Sequence, residues 1–195
     1  MLSGITGLVA GGAMVADPVI LWSGALAGMR LSVQPDALSC FFVVIVSLLG
    51  SAIAIYSLGY ARAYEGRKNI GLLASLYNAL LLATTLVFLA GDVWLFLISW
   101  ELMALLAYGL VTFEHEDRET RKAGILYFIM SHMDAVCVML GFFILARAAG
   151  DFSFSALKGI GHDLAPGPRN TAFVLFVLGF GIKAGLIPLH VWLPV

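Results

Sequence analysis

"GLLASLYNALLLATTLVFLAGDVWLFLISWELMALLAYGLVTF", residues 71–113, decides the fold of this chain. It contains most of one long apolar run, 69–91, and all of a second, 93–113, which holds a single charge, Glu101. A helix needs about 20 apolar residues to cross the hydrocarbon core of a bilayer, and both runs have that length. The connection between them is so short that the two helices are predicted to be antiparallel neighbours.

Further apolar runs repeat this pattern along the 195 residues. We expect membrane-spanning helices at about 37–60, 69–91, 93–113, 123–147 and 170–194. Residues 1–36 are expected to form a short leading membrane helix over 1–16 and an exterior, hairpin-like loop. The bundle is assigned to 37–195. The sequence therefore predicts an all-α polytopic membrane protein with about six transmembrane helices.

The overall composition supports a membrane protein and excludes several other classes. The chain is 61% hydrophobic and 12% charged, whereas a soluble domain carries about 25% charged residues. A net charge of -1 argues against a protein that binds nucleic acid. Cys40 and Cys137 each stand alone in an apolar run, without the spacing of a metal or redox site. We predict neither a bound metal nor a cofactor.

The basic residues predict the orientation of the chain. Two short loops, 61–68 and 114–122, carry six lysines and arginines, and alternate loops lie on the same side of the membrane. The positive-inside rule places both loops in the cytoplasm. The alternating charges of 114–122 indicate either a solvated turn or a contact with a soluble partner.

Four ionisable residues interrupt the apolar runs, and a helical rise of about 1.5 Å per residue places them all in the middle third of the membrane. They are Glu101, His132, Asp134 and Lys183. Each costs about 2.5–3.5 kcal/mol to insert at that depth. One interpretation is a structural Glu101–Lys183 ion pair. Buried pairs contribute little net stability, so a relay of groups that exchange protons is favoured.

The stretch GFGIKAGLIPLHVWLP, residues 179–194, places Lys183 beside a predicted helix break. Pro188 removes a backbone hydrogen bond, and Gly185 is one of two glycines that flank the lysine. A break at membrane depth is tolerated only inside protein or beside water, so water and protons are expected to reach Lys183. The alternative is a plain proline kink with a lysine that extends toward the cytoplasm. His190 and Asp134 are candidate accessory groups.

These motifs resemble a known membrane family. FLISWELMALLAYGLVTFEHED, residues 96–117, is similar to the glutamate-bearing helix of the antiporter-like proton-translocating subunits. These subunits occur in respiratory complex I, multisubunit Na⁺/H⁺ antiporters and membrane-bound hydrogenases. The stretch 179–194 resembles their broken, lysine-bearing helix, and 35–60 resembles the first helix of their shared region. Residues 113–133 are most similar to the branch of hydrogenase-4 component B and the formate hydrogenlyase membrane subunit.

The resemblance implies a fold of about 14 helices with two inverted repeats, of which this chain would hold part of the first half. Because the family continues beyond the position of Val195, a truncated member is expected. Glu101 and Lys183 would interact and couple redox chemistry elsewhere to proton movement, and His132 would assist proton transfer. The family assigns no role to Asp134.

The implied function is that of a proton-translocating, non-catalytic membrane subunit in a hydrogenase-4-like or formate-hydrogenlyase-like redox complex. A subunit of a Na⁺/H⁺ antiporter and a purely structural membrane subunit are the alternatives. The expected partners are the lipid bilayer, other membrane subunits and a soluble arm bound through 114–122. The expected location is the inner membrane of a prokaryote.

Overall fold

Helices account for most of the computed structural model, which describes residues 17–24 and 29–193. The leading helix expected over 1–16 lies outside the described residues. Two strands precede seven helices in that part of the chain: β1 Val19–Ser23, β2 Arg30–Val33, α1 Ala37–Tyr60, α2 Ile70–Leu89, α3 Val93–Val111, α4 Arg118–Ala149, α5 Phe154–Leu157, α6 Ile160–Asp163 and α7 Pro166–Ala184. Short 3-10 turns, Ala61–Tyr64 and Thr112–Glu114, extend α1 and α3.

Four of the long helices, α1 to α4, begin at residues whose side chains cap them. In each case the side-chain oxygen accepts a hydrogen bond from the backbone N–H three residues further on, which satisfies one of the free donors of the first turn. The capping residues of α1 to α4 are Asp36, Asn69, Asp92 and Asp117. Short polar residues at the ends of apolar runs therefore set where each helix starts.

Helices α3, α4 and α7 form the centre of the bundle. α4 packs against both α3 and α7, α2 lies beside α3, and α1 contacts α2. The core cluster includes Val93 and Leu97 of α3 and Val138 of α4, with Phe142 and Phe176 packed around it. The antiparallel α2–α3 pair is the arrangement expected from the short connection between the two runs.

Four helices are long and apolar enough to cross a membrane, among the residues that the structure describes. They correspond to Ala37–Tyr60, Ile70–Leu89, Val93–Glu114 and Arg118–Ala149. The expected count of about six is not confirmed, and the 14-helix repeat stays a prediction. Most side chains of α1 are exposed, and large apolar ones such as Leu48, Ile55 and Leu58 point outward. A surface of this kind is typical of a helix that faces lipid or further apolar helices.

The helix predicted over 170–194 has different limits in the structure. α7 starts at Pro166, which suits the first turn of a helix because it lacks a backbone N–H. The helix ends at Ala184, and turns occupy the residues from Gly185 to Leu193. Gly185 has a φ of 68°, in the left-handed region that ends helices and that glycine adopts without steric cost. Pro188 lies in the turns beyond the helix end.

A small hairpin closes one end of the bundle. β1 and β2 pair antiparallel. Buried Asp92, only 2% exposed, connects the hairpin to the α2–α3 turn. Its Oδ2 accepts hydrogen bonds from the backbone N–H and the hydroxyl of Ser32, at 2.5 and 2.6 Å, and its Oδ1 accepts one from the N–H of Leu95. An ion pair of 2.7 Å between Arg30 and Asp151 attaches β2 to the loop after α4.

We expect Gly179→Ala to destabilise the α4–α7 contact. A Cβ at Gly179 would lie 2.5 Å from a methyl group of Val138 and 2.8 Å from the carbonyl oxygen of Asp134. Such overpacking costs about 1–3 kcal/mol. The matched control is Gly59→Ala in α1, where a Cβ meets nothing within 4 Å. Thermal unfolding in detergent should show a lower midpoint for G179A only, and equal midpoints would contradict the close approach.

The ion pair at Asp151 predicts a pH dependence of stability. The backbone N–H of Ser153 and the Arg30 guanidinium hold the pKa of Asp151 below its usual range. A carboxylate with a lowered folded pKa stabilises the fold above its unfolded pKa, about 3.9, and loses this contribution as the pH falls through the folded value. D151N should therefore lower the unfolding midpoint at neutral pH.

The difference between D151N and the wild type should shrink as the pH falls below about 4. Asp163→Asn, at an exposed carboxylate of α6, is the control and should leave the midpoint unchanged at each pH. A constant deficit of D151N from neutral to acid pH would show that the carboxylate charge does not stabilise this loop.

Candidate functional site

The four ionisable residues singled out in the sequence lie on three helices in mutual contact. Glu101 belongs to α3, His132 and Asp134 belong to α4, and Lys183 belongs to the last turn of α7. The structure places them in two groups with different surroundings. Glu101 and His132 form one group, and Asp134 and Lys183 share the other.

Glu101 and His132 contact each other at the side of the bundle. Oε2 of Glu101 lies 3.6 Å from Nε2 of His132, and their side chains are 37% and 40% exposed. Nδ1 of His132 lies 2.9 Å from the carbonyl oxygen of Phe128. Because a carbonyl oxygen can only accept, this bond assigns a hydrogen to Nδ1. Nε2 is then the nitrogen that gains or loses a proton, and it faces a carboxylate.

Asp134 lies in the interior, where it is only 1% exposed. Its Oδ1 accepts a hydrogen bond of 2.7 Å from the indole N–H of Trp100. Its Oδ2 is buried without a hydrogen-bond partner among the described residues. A buried carboxylate needs partners to offset the loss of hydration. Trp100 therefore holds Oδ1 of Asp134 in place, while Oδ2 can accept a further hydrogen bond.

The ammonium of Lys183 faces two aromatic rings. Its Nζ lies 5.4 Å from the ring centre of Trp100 and 5.7 Å from that of Tyr127. The nitrogen is buried and has no hydrogen-bond partner in the described part of the chain. A cation over an aromatic face is stabilised by about 0.5–2 kcal/mol, and the carbonyl end of a helix also attracts positive charge. Both features suit a lysine side chain at this position.

The end of α7 brings a further tryptophan next to this group. The N–H groups of Gly185 and Leu186 donate to the carbonyls of Ile182 and Gly181, at 3.1 and 2.9 Å, which closes the last helical turn. The following turns return Trp192 to the helix, where its indole N–H donates to the carbonyl of Ile182 at 2.8 Å. The break thus folds the chain back beside Lys183 instead of continuing the helix.

The segment after the break also carries His190, the other candidate accessory group. Its Nδ1 is buried and has no hydrogen-bond partner among the residues described. The Trp192 ring packs edge-on against Tyr127, with 5.5 Å between the ring centres. Tyr127 therefore connects this segment to the aromatic surroundings of Lys183.

The described side chains show no ion pair between Glu101 and Lys183 within 4.0 Å, although the resemblance implies that they interact. Helix geometry explains the separation. Neighbouring residues of a helix point about 100° apart, so Trp100 and Glu101 face different sides of α3. Residues two apart point about 160° apart, so His132 and Asp134 face nearly opposite sides of α4. Glu101 meets His132 on one side, while Trp100 meets Asp134 and Lys183 on the other.

Sequence reasoning missed the aromatic residues of this site. Trp100 directly precedes Glu101, and Tyr127 lies seven residues before Asp134, a spacing that places both on one face of α4. Those spacings were available, but an aromatic residue in an apolar run gives no sign of which neighbour it contacts. Among the described residues, no group of three or more His, Cys, Asp or Glu is placed to hold a metal ion.

Two family profiles match the chain. The profile described as "NADH:quinone oxidoreductase/Mrp antiporter, TM" covers residues 90–195, more than half of the chain. The profile described as "NADH-Ubiquinone oxidoreductase (complex I), chain 5 N-terminus" covers residues 25–68. The first match contains all four ionisable residues of the site.

Individual relatives agree with these matches. Hydrogenase-4 component B of Escherichia coli is 34% identical over 84% of this chain and 24% of its own length. Formate hydrogenlyase subunit 3 of the same organism is 27% identical over 99% of this chain and 31% of its own length. The chain thus spans 24% and 31% of the length of these two relatives.

One solved structure has a similar fold. The structure of the membrane-bound sulfane sulfur reductase, an archaeal respiratory membrane complex, contains a chain that aligns with a TM-score of 0.74. Sequence identity is 20%, and the match covers 98% of this chain and 38% of the other. At that identity the likeness concerns the fold alone.

Proposed function

This chain belongs to the NADH:quinone oxidoreductase/Mrp antiporter family of membrane subunits, and we propose that it forms a part of such a subunit that moves protons across the membrane. The family resemblance is confirmed by the profile match over 90–195, which contains Glu101 and Lys183, and by the second match over 25–68. The family consists of membrane-embedded, multi-pass subunits. The proton path through this chain is our proposal.

The burial of the Lys183 amine is the observation that carries the proposal. A lysine amine binds one proton and releases it again, and burial makes that equilibrium sensitive to nearby charges. Nζ has aromatic faces around it and no fixed hydrogen-bond acceptor among the described residues. A lysine that served only to fix helices together would be expected to have such an acceptor. Lys183 instead suits a group that changes its protonation during turnover.

Glu101 and His132 are proposed as a second proton-exchanging station. Both are more than one third exposed at the side of the described bundle, and Nε2 of His132 faces the glutamate carboxylate. Histidine is the side chain that proteins most often use to exchange protons. We assign to this pair the exchange of protons with ionisable groups or water outside the α3–α4–α7 core, and to Lys183 the transfer within the core.

We propose that the assembly is a hydrogenase-4-like or formate-hydrogenlyase-like complex, related to complex I. Hydrogenase-4 component B and formate hydrogenlyase subunit 3, the relatives described above, support this choice. In such an assembly this subunit would carry protons while other subunits carry out the redox reaction. An antiporter subunit is the second candidate, because the matching profile also includes Mrp antiporters.

The charged loops at one end of the bundle are proposed to lie in the cytoplasm and to bind a soluble arm. Tyr64 donates a hydrogen bond of 2.8 Å to Glu114, which joins loops 61–68 and 114–122. Lys68 pairs with Glu116, and this hydrogen bond holds the pKa of Glu116 below its usual range. The two loops thus form one connected polar surface, which suits contact with a water-soluble partner.

We expect Lys183→Ala and Glu101→Gln, made in the full-length subunit within its complex, to abolish proton translocation while the redox reaction continues. Each change removes the group that binds the proton and leaves the redox subunits unaltered. Vesicles that contain the complex can be followed with a fluorescent ΔpH probe. Lys158→Ala and Asp163→Asn, at exposed charged residues outside both the site and the loops 61–68 and 114–122, are the controls and should translocate normally.

Normal translocation by both K183A and E101Q would contradict the proposed function. The same vesicles distinguish the two candidate assemblies. Translocation driven by the redox substrate without added Na⁺ or K⁺ supports the redox complex. Translocation that requires a gradient of one of these ions supports the antiporter.

A further inference from the structure

Trp100 contacts both members of the buried group. Its indole N–H donates to Oδ1 of Asp134 at 2.7 Å, and its ring centre lies 5.4 Å from Nζ of Lys183. Neighbouring aromatic rings fix its position, with Phe96 stacked at 5.3 Å and Phe180 edge-on at 5.7 Å between ring centres. One rigid side chain on α3 therefore connects a carboxylate on α4 with an ammonium on α7.

The hydrogen bond from Trp100 determines how Asp134 presents its charge. An N–H donor stabilises the ionised form of a carboxylate more than the protonated form, which could donate as well as accept. Because Trp100 holds Oδ1, the carboxylate of Asp134 cannot rotate freely, and Oδ2 stays in one orientation. The charges that act on Asp134 are those of Lys183 on α7, Glu101 on α3 and His132 on α4. Lys183 is the cation in the buried group.

We propose that Trp100 is a positioning residue that holds the Asp134 carboxylate as the counter-ion of Lys183. This inference rests on the proposed function, because it assigns a partner to the lysine that carries the proton. When Lys183 gives its proton to a water molecule at the helix break, the ammonium becomes a neutral amine, the water becomes hydronium and Asp134 keeps its negative charge. That charge then favours the return of a proton to the amine.

A role for Asp134 as the counter-ion also accounts for the separation of the two groups. Asp134 and Lys183 form no ion pair within 4.0 Å among the described side chains, so the carboxylate acts on the ammonium through space, beside the Trp100 ring that contacts both. Glu101 is then left to exchange protons with His132. Trp100 maintains this interaction by holding Asp134 in place. The Trp100 side chain does not bind the transferred proton, so its effect on proton transfer is indirect.

The test uses Trp100→Phe in the full-length subunit within its complex. Phenylalanine keeps an aromatic face for Lys183 and the packing on Phe96 and Phe180, but lacks the N–H that holds Asp134. Translocation at neutral pH should fall about tenfold, the usual effect of losing a hydrogen bond to a charged group. The acid limb of its pH profile should move to higher pH by about one unit.

Trp94→Phe is the matched control on the same helix. The Trp94 indole N–H is also buried, but it has no hydrogen-bond partner among the described residues, and its ring packs on Phe143 and Phe152. W94F removes the same atom without releasing a carboxylate, so its rate and pH profile should match those of the wild type. If W100F also keeps the wild-type pH profile, the positioning role is wrong.

A double-mutant cycle shows whether Trp100 acts through Asp134. D134N keeps an oxygen that accepts from the indole but removes the charge, and it should slow translocation at least as much as W100F. W100F on the D134N background should then change the rate by less than about twofold, because the two residues act as one unit. If the double mutant slows translocation by the product of the two single effects, the inference is wrong.

Infrared difference spectra give a readout that does not depend on translocation. The carboxyl band assigned to Asp134 through D134N should shift in W100F and stay in place in W94F. An unshifted band overturns the inference, whether or not W100F assembles in normal amounts and pumps. Failure of the proposed function is a separate result, which appears as normal translocation by both K183A and E101Q.

Discussion

The close approach of α4 and α7 at Gly179 is the constraint on which the site depends. The missing side chain at Gly179 allows α7 to lie against the backbone of α4 at Asp134 and Val138. Lys183 lies one turn further along α7, on the same face as Gly179. The face of α7 that meets α4 therefore also carries the lysine, and a wider spacing between α4 and α7 would move its amine away from Tyr127.

The two faces of α4 have different tasks in the proposed function. One face carries Tyr127 and Asp134, which are buried against α7 and α3. The other carries His132, which meets Glu101 at a more exposed position. Proton exchange with the surroundings needs access, whereas the tuning of a buried amine needs the exclusion of water. A single helix can supply both environments because successive side chains point in different directions.

Two buried aspartates differ in how many hydrogen bonds their oxygens accept. Asp92 accepts hydrogen bonds from three donors on Ser32 and Leu95, and it holds the hairpin to the start of α3. Asp134 accepts one from Trp100, and its second oxygen has no partner among the described residues. A carboxylate whose two oxygens both accept hydrogen bonds suits a position where the charge stays constant. Partial satisfaction leaves a carboxylate responsive to a changing neighbour such as Lys183.

The sequence by itself determined the family, the apolar helices and the presence of ionisable residues within them, because hydropathy and motifs are properties of the chain alone. It also indicated a break near Gly185, although α7 ends at Ala184 instead of continuing to residue 194. Only the tertiary structure decided which of these groups meet. Helical rise gives the position of a residue along its helix. Which neighbour a side chain meets depends on how the helices pack, and this packing places Glu101 against His132 and Trp100 against Asp134 and Lys183.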